Sequence, residues 1–333
     1  MNVLVTGGAG YIGSHTVRAL RAAGHQVVVL DSLETGARES LLDTPLVVGD
    51  IADSELVRQL CRDHAIQGLI HFAAYKSVGE SMQYPTKYFR NNVAGTSALV
   101  EAAALEGVQR VVFSSSCSVY GTPAQMPAAE TAPIQPESVY AETKAMSEQV
   151  LRWMYTTHGV RSVSLRYFNA AGASLDNAIG EDWSNAANLI PLVMKATLGR
   201  QGPVQVFGAD YPTTDGTCVR DYIHVDDLAD AHVRALQYLF DGGATTALNV
   251  GTGTGSSVLD VIRTTERVSG RPVPYDLVGR RQGDPITVFA DPTLVRATLG
   301  WRPQHGLDTI IESAWRWHST HIDGYPSRRR SDD

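Results

Sequence analysis

Val3-Leu4-Val5-Thr6-Gly7-Gly8-Ala9-Gly10-Tyr11-Ile12-Gly13 decides the fold of this chain. An uninterrupted β-branched and apolar run ends in a cluster of glycines, and a helix-compatible stretch follows at once. Glycines in that position let the backbone turn tightly and approach a pyrophosphate. The helix that opens behind them offers free N–H groups and the positive end of its dipole to the phosphates. A glycine motif alone is weak. Its place between a strand and a helix is the context that gives it meaning.

The same rhythm continues. Val27-Val28-Val29-Leu30, Leu46-Val47-Val48, Leu69-Ile70-His71-Phe72, Val111-Val112-Phe113 and Val163-Ser164-Leu165 read as strands. They are apolar throughout rather than alternating, as strands covered on both faces are. Helical segments are predicted near 12–23, 53–64, 84–106 and 139–158. Alternation of this kind predicts a doubly wound parallel α/β sheet of Rossmann type. After residue 168 the rhythm stops. Residues 169–188 are rich in Ala, Gly, Asn and Asp and read as a long functional loop, and 225–240 reads as a helix returning to the first lobe. The expected division is a dinucleotide-binding domain over 1–168 with about 219–242. A smaller mixed α/β substrate lobe takes 169–218 and 243–326, and 327–333 form a tail.

With 333 residues, 43% hydrophobic and 19% charged, the chain is long enough for one large core and a second lobe. Net charge is -7, and the only dense basic cluster, Arg328-Arg329-Arg330, runs into Ser331-Asp332-Asp333. It reads as a solvated tail, which argues against a nucleic-acid face. No apolar run approaches the roughly 20 residues that span a bilayer. Cys61, Cys117 and Cys218 are far apart, with no metal-ligand spacing and no even disulfide framework. A soluble protein of a reducing, cytoplasmic compartment is the expectation, with no metal and no membrane partner.

Asp31 ends the second strand, where a carboxylate can accept from the adenine ribose hydroxyls and would repel a 2′-phosphate. That favours NAD over NADP. Asp50 and Ile51, after the third strand, are candidates for the adenine; Asp50 can equally serve as a plain helix cap. Tyr140-Ala-Glu-Thr-Lys144 places a phenol and an ammonium four apart on one helix face. An ammonium beside a phenol stabilises the phenolate, giving a base usable near neutral pH. Ser116 follows the fifth strand at the carboxyl edge of the sheet, and its hydroxyl can hold a sugar hydroxyl and relay its proton to Tyr140. Ser114 and Ser115 read as strand-end serines occupied with backbone. His224 beside Asp226 and Asp227 reads as structural, because no serine stands in register with it.

VLVTGGAGYIGSHT (3–16), IHFAAYKSVGES (70–81), NNVAGT (91–96), FSSSCSVYG (113–121), YAETK (140–144), LRYFNAAGA (165–173), GTCVRDYIHVDDLADAH (216–232) and RRQGD (280–284) together resemble one family. It is the UDP-glucose (UDP-galactose) 4-epimerases of the extended short-chain dehydrogenases/reductases, and the resemblance runs from about residue 2 to 326. It implies Ser116, Tyr140 and Lys144 as the catalytic group. Gly7, Gly10, Tyr11, Ile12, Gly13, Asp31 and Ser32 would hold the adenosine and pyrophosphate of NAD, with Asp50 and Ile51. Phe72, Ala73, Ala74, Lys76, Asn91, Ser114 and Phe168 would line the rest of the cofactor cleft. Asn169, Asn188, Leu189, Gln205, Phe207, Arg220, Tyr222, Arg281 and Asp284 would hold the UDP part of a UDP-hexose. Lys76 would also reach the substrate.

The reaction implied is reversible inversion at C4. Hydride leaves the sugar for tightly bound NAD and returns to the opposite face of a 4-keto sugar. Related dehydratases carry an Asp-Glu pair, and UDP-glucuronate decarboxylases a Glu, where this chain has Cys117 and Ser118. Neither is a carboxylate, which argues against both reactions. A non-enzymatic NAD-dependent sensor on the same fold would lack Tyr or Lys, and both are present. Val288 stands where family members restricted to plain hexoses carry a tyrosine, so UDP-GalNAc and UDP-GlcNAc are expected substrates as well. A homodimer through the helices near 84–106 and 139–158 is the family expectation.

Overall fold

The computed structural model describes residues 1–183, 188–281 and 284–326. The expected tail, with Arg328, Arg329 and Arg330, lies outside them. The first half contributes strands β1 (Asn2–Thr6), β2 (Gln26–Asp31), β3 (Leu46–Val48), β4 (Gly68–His71), β5 (Arg110–Ser114) and β6 (Arg161–Tyr167). Then come β7 (Asn169–Ala171), β8 (Val204–Phe207), β9 (Val219–Arg220), β10 (Tyr222–His224) and β11 (Thr246–Val250). The short strands β12 (Ser256–Ser257), β13 (Tyr275–Val278) and β14 (Thr287–Val288) complete the set.

The central sheet has seven strands in the order β11-β6-β5-β4-β1-β2-β3, all parallel. Its order reverses at β1, which pairs with β2 on one side and β4 on the other. A crevice opens at the carboxyl ends of strands at such a reversal, and the glycine cluster sits there.

Successive residues of β1 serve opposite faces. Val3 and Val5 pack with Leu20 of the Tyr11–Ala22 helix and with Leu228 and Leu236 of the Val225–Phe240 helix. Leu4 packs on the other side with Leu60, Leu99 and Leu151. Two covered faces explain why the strands carry no polar alternation. A separate core holds the second lobe, with Ile190, Val193, Val206, Val261 and Ile311.

Two expectations change. The Val225–Phe240 helix does return to the first lobe, but so does β11, which pairs with β6 as an outer strand of the main sheet. The segment expected to open the second lobe at 243 therefore begins in the first. Thr246-Ala247-Leu248-Asn249-Val250 is too short and mixed a run to be told from a loop by periodicity. The helix expected over 84–106 is also not uniform: Phe89–Gly95 is a π-helix between the α-helices Pro85–Tyr88 and Thr96–Leu105. The Asn92 carbonyl there accepts from Thr96 and Ser147 hydroxyls, and its side-chain amide bonds Tyr75 and Thr143. Such wide turns gather where a helix presents unusual polar contacts.

Candidate active site

The Tyr11–Ala22 helix starts with no side chain capping it and no acidic residue in its first turn. Its leading N–H groups and dipole are left for an anion. Gly7, at φ +70°, is crossed so closely by the next loop that a Cβ there would lie 2.5 Å from the Ala73 nitrogen. A Cβ on Gly13 would lie 2.3 Å from the Gly7 carbonyl oxygen. Gly10 differs: its Cβ would meet only the Gly7 oxygen, at 3.3 Å. The loop is thus compressed inward and open at Gly10, which fits a diphosphate. Asp31 is buried at the end of β2. Its Oδ2 accepts from the Ala9 N–H at 2.9 Å and its Oδ1 from Leu33 N–H at 2.9 Å. It shapes the glycine loop.

The remaining expected cofactor residues differ in how they meet the cleft. Ser32 is exposed at the end of β2, and Tyr11 donates from its hydroxyl to the Gly172 carbonyl at 2.6 Å, tying the glycine helix to the second lobe. Asp50 is exposed and turns back on the Ala52 N–H, while Asp53 caps the Ser54–Asp63 helix. Ile51 is buried beneath Gly95. Phe72 directs its ring onto His232, centroids 4.6 Å apart, so it and Ala73 approach Gly7 through backbone. Ala74 is half-buried, and Asn91 donates to Asn92. Lys76 is exposed, its Nζ 3.9 Å from Glu181 across the cleft.

At the carboxyl end of β5 the chain turns through Ser114, Ser115 and Ser116, all buried. Ser116 caps the 3₁₀ turn Cys117–Tyr120, accepting from the Ser118 N–H at 3.2 Å and hydroxyl at 2.9 Å. Its own proton stays available to a further acceptor, and the Tyr140 phenol is its neighbour. Tyr140 and Lys144 share the Val139–His158 helix, capped by Ser138 on Ala141 N–H. Burial raises Tyr140 above the ordinary phenol range and the nearby Tyr167 adds to this, while the hydrogen bond with Ser116 opposes it. Lys144, also buried, is lowered to about 7 by desolvation, with the Glu148 carboxylate working the other way. Its Nζ donates to the Ser114 carbonyl at 2.8 Å and stands 5.9 Å from the Tyr140 ring centroid. Ser116 is therefore a neighbour that favours the phenolate. The helix spacing alone could not show that the ammonium points to β5.

Beyond Tyr140 lies a cavity of about 590 Å³ lined by Asn169, Asn188, Leu189, Gln205, Phe207, Arg220, Tyr222, Arg281 and Asp284. All nine residues expected to hold UDP meet there: seven come from β7, β8, β9, β10 and the Leu189–Thr197 helix with its leading Asn188, and Arg281 and Asp284 come from the connection between β13 and β14. Asn188 sits at that helix's N-cap without spending its amide on capping. Arg281 forks onto Asp284 at 2.9 and 2.8 Å and covers the Phe207 ring at 5.2 Å. Arg220 lies 3.6 Å from Asp284. Two guanidiniums at one wall suit a pyrophosphate. Phe168 is buried with Ala128 and Ala290, and Val288 and Cys117 pack against that cluster. Burial pushes the Cys117 thiol up to about 12, which leaves it an inert packed neighbour of Ser116.

The family model for the NAD dependent epimerase/dehydratase family matches residues 3–251. The chain belongs to the NAD dependent epimerase/dehydratase family. It is 48% identical over 95% of its length to 97% of a UDP-glucose 4-epimerase of Rhizobium leguminosarum bv. trifolii. It is 44% identical to that of Halalkalibacterium halodurans, covering 99% of each chain. Among solved structures, UDP-glucose 4-epimerase of Stenotrophomonas maltophila with bound NAD and formylated UDP-arabinopyranose superimposes with a TM-score of 0.93, at 44% identity over 96% of this chain and 98% of that one.

Within this epimerase/dehydratase fold the sequence reading overlooked two cavity residues. Glu181 lies in the 169–188 loop that composition marked as functional; it is buried, and its Oε1 has no hydrogen-bond partner. His318 belongs to the Leu307–Thr320 helix. It reaches the cavity stacked on Trp183, centroids 4.7 Å apart, and burial holds it neutral. Spacing offers a weak signal for it: Ala314 and His318, four apart on one helix face, both line the cavity. His224 is structural as expected, capping the Val225–Phe240 helix and contacting Ser313.

Proposed function

We propose that this chain interconverts UDP-galactose and UDP-glucose by inversion at C4, with Tyr140, Ser116 and Lys144 as its catalytic group. The enzyme is an NAD-dependent isomerase. The observation that carries the assignment of residues is the anchoring of Lys144, one turn from Tyr140, on the Ser114 carbonyl at the end of β5 beside Ser116, in a fold that also offers an uncapped glycine helix and a cavity with two guanidiniums. Bound NAD supplies the acceptor and donor of hydride. Tyr140 takes the proton of the sugar 4-hydroxyl in one direction and returns it in the other. Ser116 holds that hydroxyl and relays the proton. Lys144 brings a buried positive charge to the floor of the cleft, where charge acts strongly. Arg220 and Arg281 hold the pyrophosphate, and Asn169, Asn188 and Asp284 hold the uridine and sugar. Carboxylates are absent at Cys117 and Ser118, so elimination of water has no group to drive it.

Because no net oxidation occurs, the enzyme should retain NAD through turnover. Incubation of the purified protein with UDP-galactose and no added NAD is expected to yield UDP-glucose. No conversion, with or without added NAD, would remove this reading.

Val288 supports acceptance of N-acetylated UDP-hexoses too. Its side chain packs against the Phe168 cluster with Cys117, where an aromatic ring would take up more space. Cytoplasmic location and a homodimer through the helices around 84–106 and 139–158 complete the proposal. Trp153 is 62% exposed and Leu105 64% exposed on those elements, consistent with a covered face in an assembly.

A further inference from the structure

Tyr140 and Lys144 are two members of a longer helical stripe. Four residues on, Glu148 lies on the same face, with its side chain only 13% exposed. A carboxylate so placed needs partners, and it has three charged or strong contacts. Its Oε1 accepts from the Ser115 hydroxyl at 2.5 Å and from Arg166 Nε at 2.9 Å, and its Oε2 accepts from Arg166 Nη2 at 2.5 Å. Arg166, on β6, donates from Nη1 to the Tyr120 hydroxyl at 2.9 Å, and Tyr120 donates to Asn249 of β11 at 2.7 Å. The network therefore crosses from the catalytic helix through the β5 turn to β6 and β11.

Its contact with Ser115 is the one with catalytic reach. Ser115 stands between Ser114, whose carbonyl receives the Lys144 ammonium, and Ser116, which meets Tyr140. A serine here needed only to satisfy backbone. Instead it is fully buried and bonded to a carboxylate one turn beyond Lys144. We infer that Glu148, through Ser115, is a positioning residue that sets the Ser114–Ser116 turn against Tyr140 and Lys144. The helix and the turn would otherwise be joined at this point by Lys144 itself, a long side chain with many rotamers. A carboxylate held bidentately by Arg166 is rigid, so the hydroxyl of Ser115 has one place to go. Placement matters because displacement of a catalytic group by about 1 Å costs on the order of a hundredfold in rate.

This inference rests on the C4 epimerase reading, and its test separates the two. Wild type, Ser115→Ala, Glu148→Gln and the double variant are assayed with UDP-galactose, with bound NAD and melting temperature measured in parallel. Ser115→Ala keeps the Glu148–Arg166 ion pair, so the fold should hold. Its kcat should fall about tenfold, with KM and NAD content unchanged. In the Ser115→Ala background, Glu148→Gln should lower kcat no further, because without the Ser115 hydroxyl the side chain at 148 has no bond to the turn left to weaken. Ser115→Ala with kcat within twofold of wild type overturns the inference, as do effects on kcat that multiply independently. Should Glu148→Gln fail to fold, with Arg166 left unpaired, Ser115→Ala decides alone. A wild-type protein without turnover would instead sink the epimerase reading.

Discussion

Lys144 donates to the Ser114 carbonyl at 2.8 Å, while its ammonium stays 5.9 Å from the Tyr140 ring centroid. The two residues are one turn apart, yet the charge of Lys144 is tied to β5 and not to the phenol. Removing that charge should slow turnover strongly and relieve the fold. Lys144→Met is expected to lose a hundredfold or more in kcat, on the order of a general acid–base contribution. The same variant should melt higher when free of ligands, by on the order of 1 kcal/mol, because a buried ammonium with one hydrogen bond is replaced by a side chain of similar size. The sign follows from the lowered Lys144 value of about 7 against 10.5. Burial of the charge costs stability in full below about 7, and the cost fades as pH rises toward 10.5. The advantage of the methionine should shrink over that range in thermal melts. A constant difference would count against this account.

Tyr140 is raised by burial, so little phenolate exists in the free protein at neutral pH. Its proton transfer must be driven by the bound state. Tyr140→Phe should reduce kcat by about two to four orders of magnitude and leave KM for UDP-galactose nearly unchanged. Steady-state kinetics check both numbers, and an unaltered kcat would remove Tyr140 as the base.

Gly13 is the tightest point of the glycine loop, where a Cβ would sit 2.3 Å from the Gly7 oxygen. Gly13→Ala is expected to cost about 1–3 kcal/mol from overpacking and to push the loop out of its diphosphate geometry. Purified variant should carry less bound NAD than wild type, measured after acid release. Full NAD content in a protein of unchanged stability would show that the loop accommodates the methyl group.

Val288 touches the cluster of Phe168, Ala128 and Ala290. Val288→Tyr should abolish turnover of UDP-GalNAc while sparing UDP-galactose within about tenfold, the scale at which pocket volume discriminates. Parallel kcat/KM values for the two substrates decide it; equal losses on both would mean that the residue packs and does not select.

Glu181 is a buried carboxylate whose Oε1 lacks a hydrogen bond and whose nearest cation, Lys76, is 3.9 Å away and largely in solvent. Burial raises its pKa above the ordinary carboxylate value, and Lys76 only partly counters this. A raised value in the folded state means that stability is greatest below 4.5 and falls as pH climbs through the folded value. Relative to Glu181→Gln, the wild type should therefore lose stability on going from pH 4.5 toward neutrality. Denaturant titrations of the two proteins at several pH values test this, and parallel curves would contradict it.

By itself the sequence determined the doubly wound parallel sheet and the glycine helix. Both are written in short-range terms: apolar strands with no alternation, and glycines between strand and helix. The nine residues proposed to hold UDP, scattered from Asn169 to Asp284, stood out only through a resemblance, since no spacing links them, and tertiary structure is what brings them to one cavity. The seventh strand, Thr246–Val250, was illegible for the same reason: its place in the sheet comes from pairing with β6 some eighty residues earlier. Only the fold decided how the Tyr140–Lys144 pair is wired. Helical periodicity places both on one face, but where a four-carbon amine ends depends on which carbonyl lies opposite, and β5 supplies Ser114. The fold likewise decided that Glu148 meets Ser115 and Arg166. A buried charge takes its partners from whatever strands pack against it, and that choice is made in three dimensions.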